Sequence, residues 1–212
     1  MVAELGGKGI AVRCDHRLDR DVEDLFERVR REEGGLDLLV NNAFGSPPQS
    51  VLWSGKPFWE LPISLWDDLN AVGLRSHFIA SRFAVPLMLN RQGALMINVS
   101  SHAAASIKPA GSKRTLPYSV VKAALHRLTA DMATELHDVG IAVVSVWPPA
   151  TKTEGVLAEP ETFGDLSDWK TPLFSGRVVA ALVAAGDLFG KSGEVFALEE
   201  VAGQMRLTNQ VT

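Results

Sequence analysis

Short apolar runs alternate with longer segments whose apolar residues recur at helical spacing, and this alternation continues along most of the 212-residue chain. Strands separated by helices restrict the fold to a parallel sheet, because each intervening helix returns the chain to the same end of the sheet. "GIAVRC" (9–14) reads as a strand, and "DHRLDRDVEDLFERVRREEGG" as the helix after it, with Val22, Leu25, Phe26 and Val29 on one face. "LDLLVNNA" (36–43) follows as an apolar run of the kind buried on both faces. A loop rich in proline and glycine leads into one long helical pattern, "SLWDDLNAVGLRSHFIASRFAVPLMLN", and then into the strand "ALMINVSS" (94–101). Pro117 opens the next helix, "GIAVVSVW" (140–147) is a further strand, and "GEVFAL" (193–198) a last one after another helix. The expected fold is α/β: a doubly wound, Rossmann-like parallel sheet in one domain, with ligands at the carboxyl ends of its strands.

Charge and composition narrow the partners. A net charge of -4 gives no basic surface for nucleic acid, so a small molecule or a protein is expected instead. The single Cys14 excludes an intrachain disulfide, and the five histidines show no metal-ligand spacing. No apolar run reaches the ~20 residues that span a bilayer. The expected compartment is the cytoplasm, with peripheral membrane association left open.

The chemistry concentrates in "PYSVVKAAL", where Tyr118, the only tyrosine, stands four residues before Lys122 and so shares its helix face. That spacing alone is a weak signal, and its context strengthens it. The preceding strand ends in Ser100-Ser101, an earlier one in Asn41-Asn42-Ala43, and the following one in Pro148-Pro149-Ala150-Thr151-Lys152-Thr153. In this order and at these strand ends, the chain resembles the short-chain dehydrogenase/reductase family over essentially its whole length. "FWELPISLWDDLNAVGLRSHF" and "SVWPPATKTE" narrow the resemblance to an NADPH-linked, reductase-like branch of it.

The resemblance implies a mechanism in which Tyr118 exchanges a proton with a substrate oxygen as hydride passes to or from a nicotinamide. Moving a phenol from a pKa of ~10 to ~7 takes about 4 kcal/mol, which the Lys122 ammonium and the nicotinamide charge would supply. Lys122 would also hold the ribose, and Ser101, in preference to Ser106, would hydrogen-bond the substrate oxygen. Asp15 would accept from the adenine, and Asn41 and Ala43 would line the ribose side. The Pro148 loop would hold the carboxamide through the backbone at Thr151 and the hydroxyl of Thr153. NADP is the expected cofactor, with NAD the alternative, and a carbonyl or alcohol the expected substrate. Bland readings stand beside these: Asp15 as a loop carboxylate, Asn41 as a tie between strands, Thr153 as a helix cap. Trp53, Phe58, Trp59 and Trp66 either wall the substrate or pack on the core.

Three departures from the family pattern stand out. "HAAASIKPAGSKRTLP" carries an apparent insertion of about four residues. Gly73 occupies the place of an asparagine that completes a proton relay in many members, and Asn70, one turn away, is poorly placed to substitute. Phe44 replaces a glycine in the cofactor loop. By the resemblance, Met1 falls just before the family's third strand, so the first two strands and the glycine-rich pyrophosphate turn are expected to be absent. "GIAVRC" would then lie roughly 14 Å from "LDLLV" at ~4.8 Å per strand, unless the two pair directly, and "LDLLV" would form an exposed apolar edge. An alternative function follows, that of a non-catalytic protein dimerising through "LNAVGLRSHFIASRF" and "VVKAALHRLTADMATEL", the family's usual interface; a homo-oligomer is expected in either case. This polypeptide alone is expected to bind nicotinamide cofactor weakly. Titration of NADPH into the purified chain checks this, and tight stoichiometric binding contradicts it.

Overall fold

The computed structural model describes residues 2–207 apart from 3, 5, 46, 109 and 187. Four parallel strands form one sheet in the order of their sequence: β1 (Leu38–Asn41), β2 (Leu95–Val99), β3 (Ala142–Trp147) and β4 (Val195–Ala197). Among the described residues, seven of eight α-helices precede or connect these strands: α1 (Asp19–Glu33), α2 (Gln49–Leu52), α3 (Ile63–Asn70), α4 (Ser76–Met88), α5 (Leu116–Leu136), α6 (Glu154–Ala158) and α7 (Pro172–Ala184). The eighth, α8 (Leu198–Gln204), follows β4 directly.

Alternate residues of the central strands face opposite layers, as a pleated strand requires. Met96 and Val143 pack with Val22 and Phe26 of α1 and with Ile79, Leu87 and Met88 of α4. Ile97, Val144 and Val146 point the other way, onto Phe174, Val178 and Leu182 of α7 and Leu198 of α8. Helices on both faces of a parallel sheet give the expected doubly wound α/β arrangement.

"GIAVRC" is not a strand. Residues 9–14 run as irregular chain with Ile10 and Val12 exposed, and they pair neither with β1 nor with any other strand among the described residues. An extended segment whose amides and carbonyls find no ladder partner keeps them in water and does not register as sheet. β1 consequently pairs on one side only, with β2, and Val40 is 41% exposed, so the run is not buried on both faces as expected.

The long helical pattern after residue 63 divides into α3 and α4. Between them Ala71–Arg75 forms a π turn in which Val72 (φ -117, ψ 95) and Gly73 (φ 144) leave helical geometry. Only glycine takes such a φ without strain. The amide of Gly45 meets the carbonyl freed at Val72, at 2.6 Å.

A buried polar ladder crosses the sheet toward its carboxyl end. Asn41 Nδ2 donates to Asn98 Oδ1 and to Ser81 Oγ, both at 3.0 Å; Asn98 Nδ2 donates to Thr129 Oγ1, and Thr129 Oγ1 to the carbonyl of Leu125. Asn98 is fully buried and each of these bonds has a partner, so the ladder ties β1, β2, α4 and α5 together in one register. Asn98→Leu keeps the branched shape but takes one acceptor from the Asn41 amide and the donor from Thr129 Oγ1. The expected loss is about 2–4 kcal/mol, read from urea unfolding midpoints.

Candidate active site

Pro117 lies in the first turn of α5, where its missing amide costs no helical bond, and Thr115 marks the N-cap. One turn places Tyr118 and Lys122 on the face that meets the end of β2. Lys122 is 5% exposed, and its ammonium donates to the carbonyl of Val99 at 2.9 Å. The Ser100 hydroxyl donates back to the Lys122 carbonyl at 3.3 Å. Lys122 Nζ lies 5.0 Å from the centre of the Phe44 ring and 5.9 Å from that of Tyr118. Burial pushes the Lys122 ammonium down to about 8.

Tyr118 does not show the depressed ionisation expected from its lysine. Burial pushes the phenol above its ordinary value, against a hydrogen bond with Ser101 and the charge of Arg114, which pull it down. The expectation joined the Lys122 ammonium to a nicotinamide charge, and burial of the phenol opposes both. Arg114 was passed over because it sits in the polar insertion, where charges ordinarily face water. Here it is 5% exposed, with its guanidinium donating to Ser106 Oγ at 3.0 Å and to the Ser106 carbonyl at 2.9 Å. Ser101, rather than Ser106, is the serine beside the phenol; its Oγ also accepts from Ala103 N.

Two of the departures in the sequence lie against each other. A Cβ on Gly73 would come within 3.4 Å of the Phe44 ring, which lies edge-on to Tyr118 with ring centres 5.8 Å apart. That is ordinary contact, so what bars an asparagine at position 73 is the backbone φ of 144 and not the ring. The close backbone approach belongs to Gly45, where a Cβ would meet the carbonyl of Asp68 at 2.7 Å. Asn70 turns its amide to the carbonyl of Trp66, away from any relay.

Two loops, one carrying α2 between β1 and α3 and the other running from β3 to α7, meet above Tyr118. The carboxylate of Glu159 accepts from the amides of Gln49 and Ser50, at 2.8 and 2.9 Å, joining the second loop to α2 in the first. The Trp53 ring lies tilted against Tyr118 at 5.2 Å and edge-on to Phe163 at 6.1 Å, and Phe163 in turn meets Trp169. Of the four aromatics singled out in the sequence, Trp53 alone contacts Tyr118. Phe58 and Trp59 meet edge to face, 60% and 72% exposed, and Trp66 is 43% exposed, so the core does not hold these three. Phe163 and Trp169 were missed because their segment carries no periodic pattern.

The cofactor candidates divide by where their polar atoms are used. Asn41 spends its amide on the ladder, and the carbonyl of Ala43 faces His77 Nε2 at 3.0 Å. Asp15 is exposed and accepts from the amide of Arg17, as a loop carboxylate does. Pro148 follows β3 directly, Thr151 donates to the carbonyl of Pro149, and Thr153 caps α6 by accepting from Val156 N. The Lys122 ammonium has donors beyond its one carbonyl, and the Thr153 hydroxyl proton is uncommitted, so this end fits the nicotinamide half of a dinucleotide. Gly6, Gly7 and Gly9 lead into irregular chain rather than a helix, which does not fit a pyrophosphate cradle.

The short chain dehydrogenase family matches residues 1–162. The chain belongs to this family. It is 38% identical over 206 residues to mouse Dehydrogenase/reductase SDR family member 1 and 37% identical over 207 residues to the human protein, covering 90% of this chain and 64% of each relative. It thus spans about two thirds of the length of these relatives. The fold is similar to that of the Brucella melitensis 3-oxoacyl-[acyl-carrier protein] reductase solved with NAD (TM-score 0.77, 24% identity, covering 93% of this chain and 80% of that one). It is similar also to a Burkholderia cenocepacia short chain dehydrogenase solved with NADP (TM-score 0.71, 24% identity, covering 92% and 77%).

His77, 2% exposed, carries a linked prediction. Burial first, and then the charge of Lys122, push the imidazole down to about 4, so it is neutral in the fold with Nε2–H donating to Ala43. The unfolded chain binds this proton near its ordinary 6.5, so the contribution is complete above that pH and is lost as pH falls toward about 4. At most about 3 kcal/mol of stability should disappear across this window in urea titrations. His77→Leu should flatten the slope.

Proposed function

We propose that this chain carries the proton-transfer half of an NAD(P)-dependent oxidoreductase that interconverts a carbonyl and an alcohol, with Tyr118 as acid/base. The observation that carries the reading is the convergence of Tyr118, Lys122 and Ser101 where β2 ends against the first turns of α5, beneath two loops joined by Glu159. A bound nicotinamide cofactor supplies or accepts the hydride. The phenol of Tyr118 donates its proton to the carbonyl oxygen, or takes it back in the alcohol direction. Ser101 hydrogen-bonds that oxygen and stabilises charge developing on it. Lys122 keeps Val99 with one donor, would offer the others to the ribose, and brings positive charge near the phenol. Pro148, Thr151 and Thr153 hold the carboxamide, and Ala43 borders the ribose. Asn41 acts by keeping the strand ends in register, and Asp15 takes the adenine end.

NADP is the proposed cofactor, on the likeness to the reductase-like relatives, with NAD the alternative. Trp53 and Phe163 give the substrate side an apolar, aromatic wall, which suits a small carbonyl compound carrying a hydrophobic group. A homo-oligomer is proposed as well: Leu74, Phe78 and Leu128 line an open groove between α4 and α5, and Phe78 is 47% exposed. Such an interface serves the alternative function, a dimerising interaction protein, equally well, so activity decides between the two.

NADPH oxidation over a panel of carbonyl compounds tests the reading. Tyr118→Phe should lower turnover by about 100-fold or more while the fold persists. Full turnover in that variant removes Tyr118 from the reaction.

A further inference from the structure

We infer that Trp53 determines which substrates reach Tyr118, and that Glu159 is the positioning residue that holds its indole there. The specificity role rests on the proposed acid/base role of Tyr118, whereas the placement of the indole stands on hydrogen bonds within the fold.

Helix α2 lacks a local cap. Its N-cap is Pro48, whose side chain offers no acceptor, so the first amides of this four-residue helix need a partner from elsewhere. Glu159 supplies it from 110 residues along the chain: one carboxylate oxygen accepts from Gln49 N at 2.8 Å and the other from Ser50 N at 2.9 Å. Such charge-assisted bonds are roughly twice as strong as neutral ones. With its start fixed, α2 aims the indole. Trp53 Nε1 donates to Gln49 Oε1 at 3.1 Å, and a Cβ on Gly155 of α6 would come within 3.3 Å of Gln49 Nε2, so the amide that holds the indole is itself packed in place. The Trp53 ring, tied at its nitrogen, lies 5.2 Å from the Tyr118 ring.

The segment between β2 and α5 closes the third side. The Lys113 carbonyl accepts from Gly55 N at 2.9 Å, in the loop that carries α2, and the Lys113 ammonium donates to the carbonyl of Thr162 at 3.1 Å, beside Phe163 in the other loop. Three segments are thereby joined pairwise around Trp53 and Phe163, whose rings meet edge-on. The apparent insertion gains a purpose, since Lys113 lies within it. The Glu159 carboxylate bonds to loop backbone, so it acts on the site through Trp53 and takes no part in proton transfer. An indole pinned beside the phenol takes space that a bulky group next to a substrate carbonyl would need. Trp53 therefore selects against carbonyl compounds of that class.

Tyr118 is the only tyrosine, so fluorotyrosine introduced by biosynthetic labelling puts fluorine beside the indole and nowhere else. Its NMR shift reads the ring current of Trp53 without cofactor or turnover. Trp53→Leu gives the shift of the site with no indole, and Glu159→Gln should move the signal most of the way to that value. In the carbonyl panel, both variants should raise kcat/KM for ketones with a ring next to the carbonyl by about 10-fold relative to an unbranched aldehyde. The fluorine signal decides where turnover is too low to measure. A signal that keeps the parent's position in folded Glu159→Gln, or in folded Gln49→Leu should the first variant not fold, overturns the inference, as does an unchanged substrate ratio in Trp53→Leu. Full turnover in Tyr118→Phe would instead remove the acid/base role and leave the fluorine result standing.

Discussion

An ammonium group held out of water by one backbone carbonyl is the joint on which the site turns. Lys122 reaches back from the second turn of α5 to Val99, the last residue of β2, and Ser100 returns the contact to the Lys122 carbonyl. This fixes the distance between strand end and helix start, and with it the position of Tyr118 one turn earlier. The aromatic face of Phe44 offsets part of the desolvation, since a cation above a ring is attracted by its quadrupole. The remaining cost is visible in the lowered proton affinity of Lys122, and an anionic or polyhydroxyl ligand would relieve it.

The rest of the site is arranged to keep this joint dry. The Phe44 ring packs close to Gly73, where an added Cβ would lie in van der Waals contact with it. Trp53 and Phe163 extend the aromatic surface outward from Tyr118, and Glu159 couples the two loops that carry them. Low dielectric around the phenol raises the cost of ionising it, so a nearby cation matters more here than it would at a wet site. Beneath, the Asn41–Asn98–Thr129 ladder sets the register of the strand ends without touching Tyr118.

Periodicity carried most of the fold. β1, β2, β3 and β4 fall where apolar runs predicted them, and α5 begins at the proline that marks it. "GIAVRC" failed because a strand is a property of pairing, and β-branched composition cannot supply a neighbour. The break at Gly73 was legible only as a lone glycine in a helical pattern, yet its φ of 144 divides α3 from α4. At the site, Tyr118, Lys122 and Ser101 were readable because their spacing is local or tied to strand ends. Phe163 and Trp169 were not, because what makes them part of the site is contact made by a loop with no period of its own. Asn41 and Thr153 make the bonds of the bland roles weighed beside the functional ones, in the ladder and at the helix cap, and the Thr153 hydroxyl keeps a proton to donate.

The most direct test of this account is the ionisation of the Lys122 side chain, followed by NMR on protein with isotopically labelled lysines. The chain has eight lysines, and assignment by Lys122→Met picks out the relevant resonance. One signal, absent from that variant, should titrate at about 8, well below the ordinary 10.5. A Lys122 resonance that titrates with the exposed lysines would mean a solvated ammonium, and the dry joint between β2 and α5 would not exist.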